Sequence, residues 1–349
     1  MKILMTYPYF TGKGGMETVT ARVLNYASRN MEIEFLLSGG SDDTNWIKNV
    51  NNESGKVVLH NHRSYPGVFL DTFNYIRKTK PDIVITLNNL QIMPIMAAKK
   101  LYVPNMKVYA WHHFALRFLK GNNLLKYCDS FLAIASGMKR DLINMGIDEE
   151  KIHLIYDPVD RVKVPTPQSK DGEPKHFVYI GRLEAEGQKN VSEIYRILGA
   201  LKNKNWVFDV YGAGADEQKL RDLSKELGIE DKVNYFGWQK DVWSAIKVAD
   251  LVFLSSKYEG FPMSVVESVA HGIPCIVTNC PVGPDDIIKE GVNGHLYEIG
   301  DIQDAAKTVD GFLDGSVKFG TQKEIQASDD DFYTDAYMKR LFNILREKQ

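Results

Sequence analysis

The chain has 349 residues, 44% hydrophobic and 25% charged, with a formal net charge of −2. That is enough apolar material for two domains of ordinary size, and a near-neutral total excludes the broad basic face of a nucleic-acid binder. The three cysteines, Cys128, Cys275 and Cys280, form no disulfide framework, and without a nearby histidine pair they make a poor zinc-ligand set.

The opening MKILMTYPYF carries one lysine and a short apolar run before Tyr-Pro, which reads as a first strand and not a signal peptide. No stretch approaches the roughly 20 apolar residues of a membrane span. A cytoplasmic protein is expected, with docking on the inner face of a membrane left open. Further strands are predicted at 33–37, 57–60, 82–86, 107–111, 130–135 and 152–155, with amphipathic helical segments between most of them. Such alternation implies a parallel sheet covered on both faces. Residues 157–174 carry four prolines and few large apolar side chains and read as an interdomain linker. The alternation then restarts, with strands at 176–180, 206–211, 233–236, 250–255 and 274–278. A terminal helix over 332–346 shows apolar positions Phe332, Tyr333, Ala336, Tyr337, Leu341 and Ile344, behind an acidic run of Asp329, Asp330 and Asp331 placed to meet the helix dipole. The expected organisation is α/β: two doubly wound Rossmann-like domains, 1–160 and 161–328, facing a central cleft. Segment 329–349 follows, and packing back on the first domain is one option for it. Ligands bind such sheets at the carboxyl ends of the strands.

The sharpest motif is EGFPMSVVE, Glu259 to Glu267, directly after the strand LVFLSS. Pro262 suits the first position of a helix over 262–271 and Gly272 suits its stop. The free N–H groups at its start make an anion site. Glu267 lies roughly 7 Å along the axis, and helix side chains lean toward the N-terminus, so its carboxylate can reach a ribose beside a bound diphosphate. In the second motif, GRLEAEGQKN, Arg182 and Lys189 flank a short loop after the first strand of domain two, and two fixed cations match a diphosphate.

Near the start, Gly12, Gly14 and Gly15 suggest a dinucleotide fingerprint, but Glu17 stands at the third glycine position and no acid ends the second strand, so a nicotinamide site is not expected. Gly14 and Gly15 still let a ligand approach the backbone. His112 and His113 end a strand of domain one, and either is a candidate hydrogen-bonding or acid/base group. Gly212 and Gly214, with Gly237 and Trp238 after the next strand, are candidates for a wall against a base. Segment 114–127, FALRFLKGNNLLKY, mixes apolar and basic residues; a core-facing helix is the favoured reading, a membrane-surface contact the other.

Together these residues resemble glycosyltransferase family 4, the retaining GT-B enzymes, over almost the whole chain: GGMET, GRL with Lys189, EGFPMSVVE, and GIPCIVT with the Gly283-Pro284 loop. EGQKN, FGWQ, HGIPCI and VNGHLYEIGD are similar to the bacterial lipopolysaccharide 1,6-galactosyltransferase group. The resemblance implies a UDP-sugar donor, with Arg182 and Lys189 on the diphosphate and Glu267 on the ribose. It places Glu259 on the sugar, and the backbone of Phe261, Pro262, Met263 and Ser264 against sugar and phosphate. Gly14 and Gly15 approach from domain one, and His113 fits the family's histidine better than His112. It also implies retention of anomeric configuration and transfer of a hexose, galactose or glucose, to a glycan or lipid-linked glycan in surface polysaccharide synthesis. No divalent metal is expected: the one Asp-x-Asp, Asp329 to Asp331, follows no strand, whereas Arg182, Lys189 and a helix start supply positive charge. A UDP-sugar epimerase of the same fold and a non-catalytic partner subunit are the competing readings.

Overall fold

A computed structural model describes residues 1–12, 14–29, 31–50 and 55–346. Lys13 of the glycine loop and residues 347–349 lie outside them. Among the described residues thirteen strands form: β1 Lys2–Tyr7, β2 Glu32–Leu37, β3 Gly55–Leu59, β4 Ile83–Thr86, β5 Lys107–Trp111, β6 Ser130–Ala133, β7 Ile152–Leu154, β8 Lys175–Ile180, β9 Trp206–Tyr211, β10 Val233–Gly237, β11 Leu251–Leu254, β12 Cys275–Thr278 and β13 Gly294–Tyr297. The helices are α1 Gly15–Ala27, α2 Tyr65–Thr79, α3 Ile92–Tyr102, α4 Ser136–Asn144, α5 Ser192–Ala200, α6 Glu217–Glu226, α7 Val242–Ala245, α8 Met263–Ala270, α9 Pro284–Ile287, α10 Ile302–Asp314, α11 Gln322–Ala327 and α12 Thr334–Arg346.

The chain divides into two compact units, Met1–Pro158 joined by α12, and Val159–Tyr333. The first unit's sheet runs β3-β2-β1-β4-β5-β6-β7 and the second's β10-β9-β8-β11-β12-β13. Every strand pair in both is parallel. Every residue of the central strands IVIT, LVFL and CIVT is buried, as a sheet covered on both faces requires. In the second unit Phe177, Tyr179, Tyr195, Trp206, Phe208 and Phe253 fill the core. In each unit the strand order reverses beside the first strand, between β1 and β4 and between β8 and β11. Those are the switch points where doubly wound sheets bind ligands.

Three expectations need correction, and one strand was not expected. Residues 159–174 are no free linker. They are strapped to the second unit: Thr166 N–H donates to His271 O at 3.1 Å, Ser169 Oγ to Asp250 at 2.7 Å, and Gln326 to Val162 O at 3.0 Å. The acidic run does not cap the terminal helix. Asp329 is fully buried, Asp330–Phe332 form a 3-10 turn, and α12 starts at Thr334. Arg161 pairs with Asp330 at 3.0 Å and Phe261 meets Phe332 ring to ring at 5.4 Å, so the second unit extends through Tyr333. Segment 114–127 is no helix either. Gly121, at φ 77°, separates two 3-10 turns, Leu116–Phe118 and Asn122–Tyr127. Finally, β13 was not foreseen. Its sequence GHLY offers no apolar run, and Gly294 is needed because a Cβ there would lie 2.2 Å from Cys275 O.

α12 belongs to the first unit. It buries Tyr337, Met338, Leu341 and Leu345 and packs against α1. Burying a Leu-sized side chain stabilises by roughly 1.5–3 kcal/mol, so this returning helix is a structural part of that unit.

Candidate active site

In the second unit two loops meet at the switch point. The loop after β8 holds Arg182, Gln188 and Lys189, and the loop after β11 holds Tyr258 and Glu259. Lys189 Nζ donates to Glu259 Oε1 at 2.6 Å, with side chains 20% and 8% exposed. Gln188 Nε2 donates to Tyr258 O at 3.1 Å, and Lys257 N–H donates to Gln188 O at 2.8 Å. Arg182, 58% exposed, donates through Nη2 to Gln188 Oε1 at 3.1 Å and pairs with Glu184 at 3.1 Å. Ser255 Oγ closes the base of the loop by donating to the carbonyls of Lys189 and Asn190 at 3.0 Å each. A buried carboxylate with a lysine partner beside an exposed, steered arginine presents two cations in fixed geometry. Cys280 lies close to the pair: burial and then the Glu259 charge push its thiol up to about 12, so it stays protonated and is no nucleophile here.

Pro262 is the N-cap of α8 and not its first residue, with φ −77° and ψ 88°. Met263 and Ser264 open the helix and Phe261 is buried. Gly283, at φ 99°, lets the following loop press against this turn: a Cβ there would be 2.8 Å from Pro262 Cδ. Glu267, fifth in the helix, accepts the Trp243 indole N–H at 3.2 Å, and Trp243 stacks on His271 at 3.9 Å between ring centroids. Gly212 packs backbone to backbone; a Cβ there would sit 1.8 Å from Gly181 O. Its N–H donates to Gly237 O at 2.9 Å, which joins the two glycine turns, while Tyr211 stacks on Phe236 at 4.7 Å and Trp238 is exposed. Gln188 and Trp243 were not singled out from the sequence. Gln188 stood inside the GRL motif without a partner to suggest a role, and no pattern marks Trp243.

The first unit carries its own group of candidates. Gly14 is the N-cap of α1 and Gly15 its first residue. Glu17, buried, accepts the N–H groups of Gly12 at 2.8 Å and Gly14 at 3.1 Å. The residue that breaks the dinucleotide pattern thus occupies loop donors that a phosphate would otherwise take. A side chain at Gly15 would project into open space. Both histidines after β5 are buried. His113 Nδ1 lies 3.0 Å from Asp157 Oδ2, and its ring packs on Trp111 at 4.3 Å. A carboxylate can only accept, so Nδ1 donates, and in the neutral ring Nε2 is the acceptor. His112 has no such carboxylate among the described residues; burial, with its neighbour His113, holds its pKa down to about 3. Asp157 had been assigned to the linker, and only the fold brings it across 44 residues to His113.

Two Rossmann-like units, each with a doubly wound parallel sheet, are the architecture of a GT-B glycosyltransferase. Known proteins share this sequence and fold. Residues 13–163 match Glycosyltransferase Family 4 and residues 160–326 match Glycosyl transferases group 1. The lipopolysaccharide 1,6-galactosyltransferase of Escherichia coli (strain K12) is 33% identical over 99% of this chain and 98% of its own. The solved lipopolysaccharide outer core galactosyltransferase WaaB, apo form, superposes with a TM-score of 0.89 at 31% identity, covering all of both chains. Anabaena Alr3699/HepE in complex with UDP and glucose shares the fold at TM-score 0.82 and 17% identity, over 99% of this chain and 100% of its own. The chain belongs to glycosyltransferase family 4, and it is a hexosyltransferase by class. Nothing among these relatives favours the epimerase reading.

Proposed function

We propose that this glycosyltransferase moves a hexose, galactose or glucose, from a UDP-sugar to a glycan or lipid-linked glycan of a bacterial surface polysaccharide, with retention of anomeric configuration. The carrying observation is the Lys189–Glu259 pair, joined through Gln188 to Arg182 at the switch point of the second unit. The leaving diphosphate gathers negative charge in the transition state, and preorganised cations stabilise it without reorganisation. Lys189 and Arg182 take that role, Glu259 holds Lys189 and contacts the sugar, and the turn Phe261 to Ser264 lines sugar and phosphate. Gly212 and Trp238 border the base, Gly14 and Gly15 approach the donor, and His113 supplies Nε2 as an acceptor. Activity needs no divalent metal; Asp329, half of the one Asp-x-Asp, is fully buried and presents no chelating pair. The test is a screen of UDP-, GDP- and ADP-sugars for slow hydrolysis in excess EDTA. A UDP-hexose should be cleaved preferentially and at an unchanged rate. EDTA inactivation reversed by manganese, or preference for another nucleotide, would refute the reading.

Glu267 is assigned to the donor ribose. Hydrogen bonds to a charged group contribute about 1.5–3 kcal/mol, so Glu267→Ala should weaken UDP binding roughly tenfold to a hundredfold. Calorimetry reads this directly, and an unchanged affinity removes the assignment.

The enzyme acts in the cytoplasm, touching the inner face of the membrane through segment 114–127. Phe114, Phe118 and Tyr127 are exposed there beside exposed Arg117, Lys120 and Lys126, and no carboxylate falls between 114 and 128. Asn89 holds this segment by donating to Lys120 O and Asn122 Oδ1 at 3.0 and 2.8 Å, and Asn122 Nδ2 donates to Leu116 O of the first turn at 2.7 Å. Exposed aromatics and cations together suit an anionic lipid surface. Among the described residues no helix is long and apolar enough to cross a membrane. The chain should float with vesicles containing phosphatidylglycerol and not with neutral ones, and Phe114→Ser with Phe118→Ser should abolish flotation. Equal flotation of parent and double variant discards this surface.

A further inference from the structure

We propose that the segment Ile155–Pro158 is a braced arm that positions His113 through Asp157, and that Arg340 of the terminal helix and Arg22 of α1 are its positioning residues. The inference rests on the proposed participation of His113 in turnover. It deepens that reading by assigning residues that touch neither donor nor acceptor.

The arm begins directly after β7. Arg340 Nη2 donates to Ile155 O at 3.2 Å, and its guanidinium stands 5.7 Å from the centre of the Tyr156 ring. Arg22 Nη1 donates to Pro158 O at 2.6 Å. Two carbonyls that bracket Asp157 are therefore held by cations from two different helices. Between them Tyr156 adopts φ +63°, a left-handed conformation that a bulky L-residue rarely takes and that persists only where the surroundings over-determine it. Pro158 adds rigidity, since it fixes its own φ and restricts the residue before it to extended backbone.

This scaffolding converges on one side chain. The Asp157 and His113 side chains are both 4% exposed, and among the described residues the carboxylate makes one hydrogen bond, to Nδ1 of the imidazole. Its second oxygen, the Tyr337 hydroxyl and the Trp111 indole nitrogen are all buried without a hydrogen-bond partner among the described residues. Tyr337 feels the Asp157 charge: burial first, then that charge, raise its hydroxyl well above the usual value. An unpartnered buried polar atom is destabilising, so this cluster is not the most stable way to fill a core. The cluster is explained if the carboxylate serves to accept from Nδ1–H, fixing the tautomer and ring orientation and leaving Nε2 as the acceptor. Tyr337 and Arg340 sit three residues apart on α12 and so share one face of that helix. The returning helix thus braces the arm from behind.

The experiment compares Arg340→Met, Arg340→Lys and Asp157→Asn in the full chain, with three readouts: kcat and donor KM, UDP affinity by calorimetry, and the His113 ring nitrogens by ¹⁵N NMR in the free protein. Arg340→Met should lower kcat about tenfold to a hundredfold, as sub-ångström misplacement of a reacting group does. KM and UDP affinity should stay within about twofold of the parent while the bonded Nδ1–H signal is lost. Arg340→Lys retains a donor for Ile155 O and should restore both kcat and signal. Asp157→Asn leaves both arginine contacts in place and should change the tautomer and kcat even if Arg340→Met folds poorly. The proposal is overturned if Arg340→Met and Asp157→Asn leave kcat and the imidazole signal unchanged. It is also overturned if kcat falls with no change at the imidazole and no rescue by lysine. Should His113→Ala turn over like the parent while the imidazole signal still responds to Arg340→Met, the brace stands and the catalytic reading of His113 alone falls.

Discussion

Lys189→Ala is expected to lower kcat by about a hundredfold or more, since losing one preorganised donor to developing charge costs on the order of 3 kcal/mol. It should lower Tm as well. Glu259 is buried, and Lys189 is its ion-pair partner at 2.6 Å. Removing one member of a buried pair leaves an uncompensated charge at a cost of about 3–5 kcal/mol. Arg182→Ala separates the two effects. Its side chain is 58% exposed and its pairing with Glu184 is a surface one, with a typical contribution of about 0–1 kcal/mol. Turnover should therefore collapse with Tm almost unchanged. Adding Glu259→Gln to Lys189→Ala should recover most of the lost Tm and none of the rate. Thermal melts and single-donor kinetics on the three proteins decide the matter. If both single variants keep kcat within a few-fold of the parent, the diphosphate is stabilised elsewhere.

Much of this was legible in the sequence because the fold repeats one physical rule. Runs such as ILMT, IVIT, LVFL and CIVT are apolar on both faces, which only a covered parallel sheet tolerates, and functional loops follow such strands. Arg182, Lys189, Glu259 and Glu267 were visible for that reason. The contacts between loops were not. Lys189 and Glu259 are 70 residues apart, and nothing local shows that Gln188 bridges to Tyr258. Asp157 was missed because proline density at 157–174 mimics a linker. In the fold the same prolines stiffen a strap whose backbone is hydrogen-bonded to the second unit. The acidic run misled similarly. Asp329, Asp330 and Asp331 look like a helix start, but the chain has to end its contacts with the second unit at Tyr333 before α12 can begin.

The adjacent histidines should divide their roles cleanly between turnover and stability. His113→Ala is expected to lower kcat about a hundredfold at saturating donor, the lower end of what a positioned acid/base or hydrogen-bonding group contributes. His112→Ala should leave kcat within a few-fold and act on the folded state instead. Full burial and the neighbouring imidazole hold the pKa of His112 to about 3, against an ordinary 6.5. Between those values the unfolded chain binds a proton that the folded chain refuses. The stability contributed by neutral His112 is therefore complete above pH 6.5 and is lost as the pH falls toward 3, by about 1.4 kcal/mol per unit. His112→Ala creates a cavity and should lower Tm at pH 7.5, yet its Tm should fall less steeply between pH 6.5 and 5 than that of the parent. The measurement is Tm against pH for the three proteins beside kcat at one pH. The division fails if His112→Ala loses turnover as severely as His113→Ala, or if its melting temperature tracks the parent at every pH.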